Sequence, residues 1–155
     1  MFSIILLFLL GTPLFSAPHD LNQRIKDAAL RSSLDPSLIK AMVQVESNFE
    51  SHATSLKGAM GLMQVMPKTA EAQGIRQPYH ATENLMGACD YLRTLINRYR
   101  GNIKWALAAY NAGPGNVDRY GGIPPFKETQ LYVKKVLNIY QRLKKGSQES
   151  VTDSR

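Results

Sequence analysis

The sequence predicts an all-α protein. Beyond the first seventeen residues, apolar side chains recur with helical spacing along almost the whole chain. No alternating run of apolar and polar residues is long enough to compete as a β-strand. Glycine and proline stand where one helical pattern stops and the next begins, as at Gly101 and in Gly113-Pro114-Gly115. We therefore expect a single helical domain over residues 18–145.

The first seventeen residues, Met1 to Ala17, carry no charged side chain and contain a continuous apolar run. This pattern is typical of a secretory signal peptide. A retained membrane anchor is the alternative, but the run is shorter than the roughly 20 residues of a spanning helix, and Gly11 and Pro13 interrupt it. We expect residues 1–17 to be a signal peptide and the protein to be exported to the periplasm or cell envelope.

The first two helices are predicted at residues 20–33 and 36–47. In the second, Asp35 is a typical N-cap and Pro36 a typical first helical residue, so the phase of the helix is well defined. The inward stripe then contains Ile39, Met42 and Val43. The next position on this stripe is Glu46, which is therefore predicted to face inward.

Burial of Glu46 at a helix end would change the acid–base chemistry of its carboxyl. Burial disfavours the charged form of a carboxyl and raises its pKa, so that it holds a proton near neutral pH, as a general acid must. The alternative is a structural acid that pairs with a buried arginine or caps a neighbouring helix. The helix pattern by itself leaves both interpretations open.

The remaining elements follow in order along the chain. Residues 61–66 are predicted to form a short helical turn, and Pro67 begins a helix that ends at Gly74. The clearest helical pattern spans residues 83–100, and an alanine-rich helix follows at residues 103–111. A last helix is predicted at residues 127–145. The polar residues 146–155 are predicted to be a disordered tail.

The composition excludes some functions and favours others. The chain has 19 lysine and arginine residues against 12 aspartate and glutamate residues, and its formal net charge is +7. Such a protein is drawn to polyanions. For an exported protein an acidic cell wall is the expected target, because the sequence has no nucleic-acid-binding motif. An ordinary solvated basic surface is the alternative.

Cys89 is the only cysteine, so the chain cannot form an intrachain disulfide. It lies on a predicted apolar helix face between Leu85 and Leu92, which is typical of a small core residue. We expect neither a metal site nor a cofactor.

Three further segments depart from ordinary helix patterns. Residues 58–64 place two glycines around small and flexible side chains and end in Gln64. Residues 109–117 put Tyr110 and Asn111 at a helix end before a sharp turn, and residues 128–133 offer an inward hydroxyl at Tyr132. Each segment also has a purely structural interpretation, namely a close helix contact, a turn and core packing.

Taken together, in this order and preceded by Glu46-Ser47, these segments closely resemble the soluble lytic transglycosylases. These are bacterial enzymes of lysozyme-like fold that cleave peptidoglycan. The resemblance runs from about Leu21 to Leu143, and four separated segments agree. It implies a lysozyme-like single helical domain.

The resemblance also implies roles for individual residues around the acid. Glu46 matches the single catalytic acid of the family, and Ser47 matches the serine that follows it. Tyr110 is similar to the tyrosine that hydrogen-bonds the catalytic carboxyl. Tyr132 resembles a second tyrosine near the same carboxyl.

Four other positions match residues that bind the glycan. Gln64 and Met66 resemble residues that line the glycan groove. Ser55 resembles a serine that contacts the sugar, and Asn111 lies beside Tyr110. These four are the substrate-binding residues that the resemblance implies.

The number of candidate carboxylates indicates the type of reaction. Ordinary glycosidases use two carboxylates, and the candidates for a second one here are poorly placed by the helix periodicity. They are Glu50, Glu71, Asp118 and Glu128. One acid suits an intramolecular reaction, and the resemblance implies cleavage of the β-1,4 bond between N-acetylmuramic acid (MurNAc) and N-acetylglucosamine (GlcNAc) with formation of 1,6-anhydro-MurNAc ends.

Two alternatives stay open. One is a hydrolase, a goose-type lysozyme-like muramidase in which water attacks the sugar. The other is a non-catalytic protein that binds peptidoglycan or serves a secretion machine. We expect the partner to be peptidoglycan glycan strands and not nucleic acid, and the protein to act as a monomer.

Overall fold

The computed structural model describes residues 20–152, and this part of the chain contains seven α-helices and no β-strand. The helices are α1 (Leu21–Arg31), α2 (Pro36–Ser47), α3 (Pro67–Ala72), α4 (Ala81–Arg98), α5 (Ile103–Ala112), α6 (Pro114–Tyr120) and α7 (Lys127–Thr152). The predicted all-α class is confirmed. The predicted signal peptide lies outside the described residues. Within residues 20–152 no helix is both long and apolar enough to cross a membrane.

Helix α2 begins and ends as its sequence dictates. The Asp35 carboxylate accepts a hydrogen bond from the Ser37 N–H at 2.8 Å, and Pro36 is the first helical residue. The helix ends at Ser47, and the C-cap residue Asn48 adopts a left-handed conformation with φ of 50°. The predicted phase is therefore confirmed, and it directs Glu46 toward the neighbouring helix α7.

The core is formed where α2 packs against both α1 and α7, and where α5 packs between α4 and α7. Its largest fully buried side chains include Ile25, Ile39, Met42, Leu62, Met63, Leu85, Leu92, Leu107, Val117 and Val136. Burying aliphatic side chains of this size stabilises the folded state by about 1.5–3 kcal/mol each. Cys89 belongs to this core, as predicted, and burial raises its thiol pKa to about 12.

The sequence predicted a short helical turn at residues 61–66, and the structure has a turn there that is not helical. Gly61 (φ of 76°) and Gln64 (φ of 48°) adopt left-handed conformations that an α-helix cannot include. Met60 instead forms isolated antiparallel bridges with Thr54 and Val65. Residues 54–65, which we call the groove loop, therefore fold as a compact turn against the end of α2.

Two helix boundaries also differ from the prediction. Gly113 (φ of 84°) ends α5, but Pro114 immediately begins the short helix α6, where the sequence predicted only a turn. The last helix continues through residue 146, beyond its predicted end at Lys145, and the structure describes it up to Thr152. The predicted tail at residues 146–155 is thus helical as far as it is described, because polar residues can extend an anchored helix without packing.

Candidate active site

Glu46 lies in the last turn of α2 and faces α7. Its side chain is largely buried but keeps some exposure to solvent. Burial raises the pKa of the Glu46 carboxyl from 4.5 to about 7, and interaction with the Tyr132 hydroxyl partly offsets this rise. At neutral pH the carboxyl therefore exists in both protonation states, so it can either donate or accept a proton.

Tyr132 approaches the same carboxyl from α7. Its side chain is buried, and within residues 20–152 its hydroxyl has no hydrogen-bond partner that meets standard distance and angle limits. The hydroxyl nevertheless lowers the pKa of Glu46, so it interacts with the carboxyl through a looser contact. Burial and the Glu46 charge raise the pKa of Tyr132 well above its ordinary value, and the hydroxyl stays protonated.

Tyr110 makes a different contact from the one that the resemblance implied. Its hydroxyl donates a hydrogen bond to the backbone carbonyl of Met63 at 2.9 Å, rather than to the Glu46 carboxyl. Burial and then the charge of Glu46 raise the pKa of Tyr110 well above its ordinary value. Tyr110 therefore lies near the carboxyl, and its donor hydrogen bond holds the groove loop.

Ser47 holds the groove loop from the other side. Its hydroxyl oxygen lies 2.9 Å from the carbonyl oxygen of Leu62 and 3.2 Å from that of Val43. Tyr110 and Ser47 thus bond to consecutive carbonyls, those of Met63 and Leu62. The groove loop is fixed to α5 and to α2 beside Glu46.

Gln64 and Ser55 organise the groove loop internally. The Gln64 amide nitrogen donates to the carbonyls of Gly61 at 3.0 Å and Ala53 at 3.1 Å. The Ser55 hydroxyl accepts the Ala59 N–H at 3.0 Å and closes the turn. Both residues therefore shape the wall beside Glu46, and their predicted contacts with sugar stay predictions.

Two further predicted sugar-binding residues, Met66 and Asn111, lie at the ends of helices α3 and α5. Met66 is the N-cap residue of α3, and its side chain is 43% exposed. Asn111 lies next to Tyr110 at the end of α5, and its amide oxygen accepts a hydrogen bond from the buried Thr129 hydroxyl at 2.9 Å. This bond ties the end of α5 to the start of α7.

Asn84 is a site-forming residue that our sequence reasoning missed. It is fully buried on α4, accepts the Met63 N–H at 2.8 Å and donates to the carbonyls of Met60 at 3.0 Å and Pro78 at 2.8 Å. A Cβ atom on Gly61 would lie 2.4 Å from the Pro78 oxygen, so only glycine fits beside this amide. The available signal was an asparagine on the apolar face of the predicted helix, comparable to Glu46 on its own helix.

None of the four other candidate carboxylates contributes to the pKa of Glu46. Glu50 and Glu71 are exposed, and Glu128 forms an exposed ion pair with Lys57 at 3.4 Å. Asp118 pairs with Arg98. Within residues 20–152 no three His, Cys, Asp or Glu side chains are grouped so that they could hold a metal ion. The described side chains that interact with the Glu46 carboxyl are the hydroxyls of Tyr132 and Tyr110.

This chain is similar to known proteins in sequence and in fold. Residues 23–133 match the transglycosylase SLT domain family. The transglycosylase of Enterobacteria phage PRD1 is 42% identical over 59% of this chain and 34% of its own length. The membrane-bound lytic murein transglycosylase C of Haemophilus influenzae (strain PittEE) is 34% identical over 80% of this chain and 41% of its own length.

Two solved structures share the fold. The 70 kDa soluble lytic transglycosylase of Escherichia coli aligns with a TM-score of 0.71 and 29% identity, over 83% of this chain and 25% of its own. An inactive mutant of the lytic transglycosylase Slt of Pseudomonas aeruginosa aligns with a TM-score of 0.69 and 32% identity, over 82% of this chain and 25% of its own. The predicted lysozyme-like helical fold is confirmed. The chain spans about a third to two fifths of the curated relatives described above.

Proposed function

Because this chain belongs to the transglycosylase SLT domain family, we propose that it is a peptidoglycan lytic transglycosylase and that Glu46 is its single acid and base. The observation that carries the proposal is that burial raises the pKa of the Glu46 carboxyl to about 7. A general acid works best when its pKa lies near the working pH. Among residues 20–152 no second carboxylate, such as an ordinary glycosidase needs, contributes to the pKa of Glu46.

The proposed reaction has two proton transfers. Protonated Glu46 gives its proton to the glycosidic oxygen as the bond between MurNAc C1 and that oxygen breaks. The resulting carboxylate then takes the proton of the MurNAc C6 hydroxyl, and the C6 oxygen forms a bond to C1. The products are a GlcNAc hydroxyl end and a 1,6-anhydro-MurNAc end, and Glu46 regains its proton without consuming water.

The neighbouring residues support these steps. We assign Tyr132 to stabilising the Glu46 carboxylate between the two transfers, because its hydroxyl already lowers the pKa of that group. Tyr110 supports catalysis indirectly, since it holds the Met63 carbonyl of the groove loop. We assign sugar contacts to Ser55, Gln64 and Asn111.

Met66 completes the proposed sugar-binding set. Its exposed thioether side chain offers a flexible apolar surface at the start of α3. An apolar contact of this kind suits the carbon face of a sugar ring.

The names of relatives support this proposal. The Haemophilus influenzae relative is named a lytic murein transglycosylase, and the inactive Pseudomonas aeruginosa mutant carries a glutamate-to-glutamine change. The chain spans less than half of the length of these relatives. The proposal therefore includes the activity and the glycan substrate, together with a cell-envelope location after removal of residues 1–17 and a monomeric state.

Product analysis distinguishes this function from its alternatives. Purified peptidoglycan sacculi are digested, the released muropeptides are treated with borohydride, and their masses are measured. We expect 1,6-anhydro ends, which resist reduction and are lighter than hydrolysed ends by one water. Predominantly reducible MurNAc ends would instead identify a muramidase. Binding without release of muropeptides would identify a non-catalytic protein.

A further inference from the structure

Polar contacts join α7 to both ends of α2. At the end of α2, the Tyr132 hydroxyl interacts with the Glu46 carboxyl. At the start of α2, the Tyr140 hydroxyl donates to a carboxylate oxygen of the N-cap residue Asp35 at 2.8 Å. The earlier α7 residue therefore contacts the end of α2 and the later one its start, so the two helices run antiparallel. Tyr132 and Tyr140 are about two turns apart, roughly 12 Å along the helix axis.

The contact at Asp35 is well defined. One carboxylate oxygen of Asp35 accepts the Ser37 N–H at 2.8 Å, and the other accepts the Tyr140 hydroxyl. The Lys144 ammonium lies 3.6 Å from this second oxygen and 5.5 Å from the centre of the Tyr140 ring. Burial raises the pKa of Tyr140 to about 12, and the bond to Asp35 adds to the rise. The Tyr140 hydroxyl therefore stays a donor at neutral pH.

The contact at Glu46 is looser. Within residues 20–152 the Tyr132 hydroxyl has no partner that meets standard limits of hydrogen-bond distance and angle. Such a contact is too weak to hold a helix in place. The interaction of Tyr132 with Glu46 therefore depends on where other contacts hold α7.

The rest of the α2–α7 interface leaves room for α7 to move slightly. Between residues 35–48 and residues 127–146, the structure forms no hydrogen bond or ion pair other than those of Asp35. The buried aliphatic side chains of α7 make apolar contacts, and these are not directional. A cavity of about 420 Å³ also opens between the two helices, with Val45 of α2 and Ile139 of α7 among its lining residues. The directional bond of Tyr140 is thus the one that defines the position of α7 along α2.

We propose that Tyr140 is a positioning residue for the acid: through its bond to Asp35 it sets the register of α7 on α2, and this register holds the Tyr132 hydroxyl against Glu46. A displacement by one helical residue, about 1.5 Å, exceeds the tolerance of a hydrogen-bonding contact. The effect on turnover rests on the proposed function. The effect on the Glu46 carboxyl does not, and it can be measured without substrate.

Tyr140 has no direct electrostatic influence on the acid. The titratable groups that interact with Glu46 are Tyr132 on α7 and Tyr110 on α5. Neither Tyr140 nor its two partners at the start of α2 contribute to the pKa of Glu46. A change in this pKa when the Tyr140 hydroxyl is removed would therefore report a change in the position of Tyr132.

The pKa of Glu46 is measured directly in the purified protein. The side-chain carboxyl carbons of ¹³C-labelled glutamate are followed by NMR from pH 4 to 9, and the Glu46→Gln variant identifies the Glu46 signal. Tyr140→Phe should raise the pKa of Glu46 by at least about 0.3, a twofold gain in proton affinity, because it weakens the Tyr132 contact that lowers this pKa. An unchanged Glu46 pKa in folded Tyr140→Phe protein would overturn the proposal.

A double variant tests whether Tyr140 acts through Tyr132. Tyr132→Phe removes the hydroxyl that lowers the Glu46 pKa, so adding Tyr140→Phe should raise this pKa no further. Additive rises in the double variant would show that Tyr140 acts independently of Tyr132, which contradicts the positioning role.

Asp35→Ser tests the same bond from the other helix. Serine keeps an N-cap oxygen for the Ser37 N–H but lacks the second oxygen that accepts the Tyr140 hydroxyl. This variant should raise the Glu46 pKa as much as Tyr140→Phe does, and it replaces Tyr140→Phe if that protein fails to fold. A Glu46 pKa at its wild-type value in folded Asp35→Ser protein would refute the proposal.

Tyr99→Phe is the matched control, since it removes a tyrosine hydroxyl from another helix pair. The Tyr99 hydroxyl lies 3.2 Å from the Pro114 carbonyl oxygen and 3.1 Å from the Asp118 carboxylate, and it joins the end of α4 to α6. This control should leave the pKa of Glu46 unchanged. An equal rise in Tyr99→Phe would show a general loosening of the fold and would also refute the positioning role.

The effect on turnover is measured on purified sacculi. In Tyr140→Phe the alkaline limb of kcat/KM should move to higher pH by the same amount as the pKa of Glu46. An unmoved limb beside a raised Glu46 pKa would overturn Glu46 as the titrating acid, which is part of the proposed function. If the wild-type protein released no muropeptides, the proposed function would fail, and the NMR titration would still decide whether Tyr140 positions Tyr132.

Discussion

The buried hydroxyl of Tyr132 on α7 interacts with the carboxyl of Glu46 on α2. Burial raises the pKa of this carboxyl to about 7, and the Tyr132 hydroxyl opposes that rise. The hydroxyl has no standard hydrogen-bond partner within residues 20–152. A buried donor without a full partner costs free energy, and such groups are therefore rare outside functional sites. Here it lies where negative charge forms when Glu46 releases its proton.

Replacing Glu46 by Gln should reduce muropeptide release at least about a hundredfold, because the amide keeps the shape of the side chain but cannot donate a proton. Release is measured from purified sacculi by chromatography and mass analysis. Circular dichroism should show an unchanged helical content. A folded Glu46→Gln protein with near-normal release would contradict the assignment of the acid.

The stability of the protein should depend on pH through the same carboxyl. The pKa of Glu46 rises from 4.5, its ordinary value, to about 7 in the folded state, so the folded state holds the proton more tightly between these values. The resulting contribution to the free energy of unfolding is fully present below pH 4.5, is lost as pH rises to about 7, and amounts to at most about 3 kcal/mol. Urea unfolding from pH 4 to 8 measures it.

Glu46→Gln provides the control for this pH dependence, since glutamine does not titrate. The difference in unfolding free energy between wild type and variant should change over this interval and level off above about pH 7. A constant difference across the interval would show that the pKa of Glu46 is not raised.

Tyr132→Phe should move the pH dependence of activity. The protonated acid is required, so kcat/KM of the wild type should fall above about pH 7. The Tyr132 hydroxyl lowers the pKa of Glu46, and its removal should therefore shift this alkaline limb to higher pH while reducing kcat. An alkaline limb at its wild-type position would show that Tyr132 acts only through packing.

Tyr110→Phe should behave differently, because its hydroxyl donates to the Met63 carbonyl and not to Glu46. Loss of this bond leaves a buried carbonyl without its donor and should destabilise the fold by about 1–3 kcal/mol, measured by urea unfolding. Activity should fall by roughly tenfold or less, through displacement of the groove loop. A shifted alkaline limb in this variant would show that Tyr110 acts directly on the acid.

Local sequence signals were sufficient for most of the helices, although not for the short α6, and for the inward direction of the candidate acid. Asp35 and Pro36 define where α2 starts, and the helical period then directs Glu46 inward. These interactions span only a few residues, so they are readable without knowledge of the fold. The all-α class and the buried position of Cys89 follow from the same short-range periodicity.

Only the tertiary structure decided how the groove loop is held and what faces the acid. The contacts of Asn84 with Met60 and Met63, and of Tyr110 with Met63, join residues more than twenty positions apart. The left-handed conformation of Gln64 is likewise stable only because the folded loop supplies carbonyl acceptors for its side chain.

The sequence by itself determined the helical class, the phase of α2 and the inward direction of Glu46, because backbone hydrogen bonding and side-chain periodicity act over single turns of helix. The packing of α2 against α7 decided the pKa of Glu46 and brought the Tyr132 hydroxyl to face it. Desolvation and charge interactions depend on distances between elements that are remote in the chain, and those distances exist only in the folded protein.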